Sequence, residues 1–102
     1  MSTHDFQLTY SIPETIDGSS ATAREKMRDH QGWATVCDID TTLTGQLPLQ
    51  GLISEKRKQA EKEVKKVIQE LLKQSRKHSD LKLHASLMVC GLGEHMRFDV
   101  TA

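Results

Sequence analysis

The chain predicts an α+β fold, a two-layer sandwich in which a mainly antiparallel sheet carries two helices on one face. Three observations predict it. Residues 6–12, 81–89 and 96–100 alternate apolar and polar side chains, the period-two pattern of half-buried strands. Ser54–His78 has the 3.6-residue period of one long amphipathic helix. The elements run in the order β-α-β(β)-α-β-β, which packs helices against a sheet rather than against each other alone. The 102 residues, 36% hydrophobic and 27% charged, fit a single domain over 1–102.

Phe6, Leu8, Tyr10 and Ile12 alternate with Gln7, Thr9 and Ser11, and Pro13 stops the strand. Residues 13–20 form a loop. Ser19 or Ser20 caps a short polar helix that runs to about Gln31, with Gly32 ending it. Its few anchors, Ala21, Ala23 and Met27, make it the weaker helix. Trp33 to Leu43 is β-rich, either one strand or two with a turn near Asp40. Gly45, Pro48 and Gly51 mark a loop into the long helix, where Ser54 is the expected N-cap and Glu55 suits the positive helix end. Leu81, Leu83, Ala85, Leu87 and Val89 make the next strand. Gly91–Glu94 turns the chain, and Met96, Phe98 and Val100 make the last one.

Charge is distributed unevenly although the net charge is zero. Residues 1–53 carry seven acids and three bases, 54–78 carry nine bases and four acids, and 79–102 carry three acids and two bases. A neutral total speaks against a dedicated high-affinity DNA binder and permits a local basic patch. The patch is visible in the long helix. Ala60, Val64, Val67, Ile68 and Leu71 define its apolar face, and Lys58, Lys62, Lys65, Lys66, Lys73 and Arg76 gather on the opposite side. Glu61, Glu63 and Glu70 stand on the flanks, where pairs such as Glu61–Lys65, Glu63–Lys66 and Glu70–Lys73 offset like-charge repulsion. These six bases are the expected partner-binding residues, for RNA or an acidic protein. No aromatic side chain lies among them, so a nucleic acid is held by its backbone rather than read by its bases.

The sequence suggests little chemistry of its own. Two cysteines, Cys37 and Cys90, make no disulfide framework. Cys90, His84 and His95 fall short of a converging zinc set, and no cofactor is expected. With no apolar leader and no run of membrane length, the expectation is a cytoplasmic protein with no membrane association, and a homodimer, since small sheets leave edges to pair.

The element order resembles the ferredoxin-like topology, and at this length it looks somewhat like the GhoS-type antitoxin endoribonucleases and CRISPR-associated ribonucleases. That resemblance implies, as an alternative to a non-enzymatic regulatory or adaptor domain, a small metal-dependent endoribonuclease with Asp38 and Asp40 as its acids. The segment Asp38-Ile39-Asp40-Thr41-Thr42-Leu43-Thr44 also looks like the first motif of the haloacid-dehalogenase-type phosphotransferases, which implies Asp38 as nucleophile and Asp40 as acid/base. That family needs a doubly wound sheet, a downstream Lys and a second acidic pair, and Asp80, Glu94 and Asp99 are too scattered to supply one. Asp38 and Asp40 are therefore expected to be two exposed, non-catalytic carboxylates on one strand face. A third alternative is a subunit that binds a protein or small ligand on its open sheet face.

Overall fold

The computed structural model describes residues 2–30, 32–36, 39–78 and 80–102, with the side chains of Ile39 and Asp40 outside that description. Its elements are β1 (Ser2–Ser11), α1 (Ser19–Arg28), β2 (Ala34–Val36), β3 (Ile39–Leu49), α2 (Ile53–Ser75), β4 (Lys82–Val89) and β5 (Met96–Thr101). The five strands form one sheet in the order β2-β3-β1-β4-β5, and every neighbouring pair is antiparallel. Helices α1 and α2 pack on each other and on the sheet. The fold is thus the expected two-layer α+β sandwich. The order β2-β3-β1-β4 is compatible with a ferredoxin-like arrangement, to which β5 adds an outer strand.

Alternation decides which side of the sheet is dry. Phe6, Leu8 and Tyr10 of β1, Leu83, Ala85, Leu87 and Val89 of β4, and Phe98 and Val100 of β5 point into the core. They meet Ala60, Val64, Ile68, Leu71 and Leu72 of α2 and Ala23 and Met27 of α1. The other face carries Gln7, Thr9, Ser11, His84, Met88, Arg97 and Asp99, all exposed. No helix covers that face among the described residues.

Several boundaries differ from the sequence expectation, each for a physical reason. The segment Trp33–Leu43 resolves into two strands, with Val36 opposite Ile39, the second of the two alternatives the sequence leaves open. The expected loop at Gly45–Pro48 is instead the second half of β3. Gly45 is there because the Phe6 ring lies 2.7 Å from where a Cβ would stand. Pro48 is tolerated because β2 pairs only as far as Thr44, so no strand on that side needs its missing N–H. Helix α1 ends at Arg28, not Gln31, and its N-cap is Gly18 with φ 82°. Ser19 and Ser20 are buried; Ser20 exchanges hydrogen bonds with Thr15.

Helix α2 begins two residues earlier than expected. Leu52 is its N-cap, and Ser54 lies inside the first turn. The Leu52 N–H donates to Glu55 Oε1 at 3.4 Å, the reach-back of an N3 glutamate to the N-cap backbone. The helix stops at Ser75, whose hydroxyl donates back to the Leu71 carbonyl at 2.8 Å.

Candidate functional site

The core face of α2 fixes where its other face points. With Ala60, Val64, Ile68, Leu71 and Leu72 buried, Lys58, Lys62, Lys65, Lys66 and Lys73 are all exposed. At 1.5 Å per residue they spread over about 22 Å of helix axis. The helical ion pairs expected with Glu61, Glu63 and Glu70 do not form: among the described residues no carboxylate lies within 4.0 Å of these five ammonium groups. Only Lys65 has an aromatic neighbour, its Nζ 5.9 Å from the centre of the Phe98 ring. The geometry leaves five charges to solvent along one line, which raises the potential there well above that of an alternating surface.

Arg76 departs from this line. It is the C-cap residue, with ψ 131°, and its Nη2 pairs with Asp80 Oδ1 at 2.9 Å. The sixth expected base therefore stands past the last helical turn and is already partnered. Two further cations of α2 are structural. Arg57 Nη1 donates to the carbonyls of Leu92 and Glu94 at 2.6 and 2.7 Å, which ties the β4–β5 turn to the helix. Lys56 donates to His4 Nε2 at 3.2 Å, and His4 Nδ1 in turn donates to the Cys90 carbonyl at 2.9 Å.

Asp38 and the side chain of Asp40 lie outside the described residues. Among the described residues no three His, Cys, Asp or Glu side chains converge as a metal site, and Cys90 is exposed as a free thiol.

Sequence reasoning missed a second polar cluster, on the open face of the sheet. The β4–β5 register sets His84 opposite Asp99 and Ser86 opposite Arg97. The β1–β4 register sets Ser11 opposite His84 and Thr9 opposite Ser86. His84 Nδ1 lies 2.8 Å from Asp99 Oδ1, and Lys82 Nζ lies 3.6 Å from Asp99 Oδ2. The His84 hydrogen bond, aided by the neighbouring charges, holds the Asp99 carboxyl below its ordinary range. Since an ionised carboxylate only accepts, Nδ1 carries the hydrogen, and in the neutral imidazole the lone pair is then on Nε2. Arg97 Nε donates to His95 Nε2 at 3.1 Å. A shallow depression of about 320 Å³ runs over Thr9, Ser11, His84, Ser86, Arg97 and Asp99. The signal for this cluster was present in the sequence: alternation puts positions 84 and 99 on the solvent face, and only the exact hairpin register was wanting.

No helix among the described residues is long and apolar enough to cross a membrane. Comparison of the chain with protein-family models, curated proteins and solved structures finds no match.

Proposed function

We propose that this chain is a regulatory or adaptor domain that binds the phosphate backbone of single-stranded RNA through the solvent face of α2. The observation that carries the reading is the line of Lys58, Lys62, Lys65, Lys66 and Lys73, exposed and without a carboxylate partner among the described residues. Like charges at i and i+4 cost a few tenths of a kcal/mol per pair, and an anionic partner reverses that cost. The domain is further proposed to be a homodimer in the cytoplasm, because β5 and the half of β3 beyond Thr44 leave strand edges unpaired.

The test is a titration of single-stranded RNA at several salt concentrations. Three or four simultaneous phosphate contacts give a log–log slope of about −2 to −3, at roughly −0.7 per contact. Changing Lys58, Lys62 and Lys66 together to Gln, a comparable helix former, flattens the slope and leaves the helical circular dichroism unchanged. An unchanged slope in the triple variant, or no binding by the parent at low salt, removes RNA as the partner. Binding of an acidic protein that this variant loses would then identify the other class.

A further inference from the structure

The open face of the sheet holds groups that binding alone does not use. Asp99 accepts from His84 Nδ1 at 2.8 Å, so the neutral imidazole keeps its lone pair on Nε2. Such an imidazole is oriented to take a proton from a hydroxyl. Arg97 stands on the same face one cross-strand pair away. Its Nε is engaged by His95, and among the described residues its Nη groups make no hydrogen bond or ion pair. A diagonal pair on one sheet face is about 7–8 Å apart at the backbone, a gap that a phosphodiester fills between an imidazole and a guanidinium. The hydroxyls of Ser11, Thr9 and Ser86 floor the depression between them.

The surroundings point to the substrate class. The cluster offers a base and an anion-binding cation, with no partner aligned to activate a protein nucleophile. Ser11 faces His84 in register, yet its hydroxyl makes no hydrogen bond to the imidazole among the described contacts. A substrate that brings its own nucleophile needs no more than this. RNA does so, with a 2′-hydroxyl beside each phosphate. The two faces of the domain also meet at β5, the outermost strand. Lys65 of α2 sits over Phe98, and Phe98 lies between Arg97 and Asp99 in β5. A strand held by the α2 lysines therefore reaches the dyad by passing over one edge strand.

We propose that the His84–Asp99 dyad and Arg97 form a metal-independent site that cleaves RNA by transesterification. The inference rests on the α2 reading for delivery of long RNA, while the chemistry belongs to the open face alone. His84 Nε2 removes the 2′-hydroxyl proton, the 2′-oxygen forms a bond to phosphorus, and the bond from phosphorus to the 5′-oxygen breaks. The departing 5′-oxygen takes a proton from solvent water, and His84 returns its own to the hydroxide left behind. The products are a 2′,3′-cyclic phosphate and a 5′-hydroxyl. Arg97 holds the phosphoryl oxygens as negative charge gathers on them. Asp99 is a positioning residue, acting through His84.

The experiment incubates the full chain with EDTA and a ribodinucleotide such as uridylyl-adenosine, and in parallel with a long single-stranded RNA. A dinucleotide is too short to engage the α2 lysines, so its turnover tests the dyad by itself. Failure of the α2 reading appears separately, as long RNA that binds without salt dependence. The expected result is cyclic-phosphate product in EDTA and none from the 2′-deoxy dinucleotide. His84→Ala lowers kcat/KM by about 10²–10⁴, the usual worth of a general base. Asp99→Asn lowers kcat with KM unchanged, and Asp99→Glu restores part of it. Both positions are exposed, and a thermal melt of each variant verifies the fold. No cleavage of either substrate above the protein-free rate overturns the proposal. So does cleavage that survives His84→Ala or ignores the 2′-deoxy substitution.

Discussion

Gly45→Ala adds one methyl group to a strand, and the structure sets its cost. The new Cβ would stand 2.7 Å from both Cε2 and Cζ of Phe6 and 3.1 Å from the Gly32 carbonyl oxygen. Ordinary contacts to a Cβ lie at 3.4–4 Å, so the Phe6 ring must retreat by most of an ångström. It has little room: Phe6 is buried, and its ring meets Trp33 edge-on at 5.9 Å. Trp33 in turn meets His30 at 4.8 Å. Overpacking of this kind costs about 1–3 kcal/mol. Because Gly45 has an ordinary extended backbone, the alanine also recovers roughly 0.5–1 kcal/mol of chain entropy. The net expectation is a loss of about 1–2 kcal/mol, read as a lower urea midpoint at constant slope. It is also a fall in Tm of about 4–16 °C, at 4–8 °C per kcal/mol for a domain near this size. In a Phe6→Leu background, which removes both clashing ring atoms, most of the penalty disappears, a coupling of about 1–2 kcal/mol in a double-mutant cycle. A Gly45→Ala variant as stable as the parent, or no coupling to Phe6, would refute the claim that the glycine is required by close approach.

Two further outcomes follow from the core and from the open face. Ile68→Ala, at a fully buried position of α2, lowers unfolding stability by about 2–5 kcal/mol through lost transfer energy and a cavity; a loss under half a kcal/mol would put that helix face in solvent. Asp99 is held below its ordinary carboxyl range by His84, so its contribution is present above that range and lost as pH falls through the depressed value. The difference in Tm between the parent and Asp99→Asn should therefore shrink on acidification; a difference that grows instead would show that the carboxylate is not stabilised by its neighbours.

Periodicity made the fold legible and left its edges obscure. The alternation in β1, β4 and β5 and the 3.6-residue repeat of α2 each report burial directly, because one face must be dry. The second half of β3 was hidden because Gly45 and Pro48 read as loop residues. What overrides them is a ring from another strand and a missing neighbour, both non-local facts. The cap of α2 was misplaced because Ser54 is the better intrinsic N-cap, while the helix starts at Leu52, whose backbone N–H is taken by Glu55. Exposure was legible for all six bases, Arg76 included. What the sequence did not reveal is that the helix ends at Ser75, which sets Arg76 beyond it and within reach of Asp80. The His84–Asp99 pair needed the hairpin register, which alternation alone leaves open by two residues.

The position of β1 has a consequence for how the chain is made. β1 is the first strand to be synthesised and the middle strand of the sheet, paired with β3 on one side and β4 on the other. Its partner on the β4 side ends at Val89, some eighty residues later. At 5–20 residues per second the ribosome takes roughly 4–16 s to supply that partner. During that interval the chain can pair β1 with β3 and form two nascent helices, yet the backbone edge of β1 that β4 will take stays unpaired. Closure of the core thus waits for contacts distant in sequence, and such topologies fold slowly for their size. Substitutions that lengthen this exposed interval should lower the yield of soluble chain even where they leave the finished domain as stable as before.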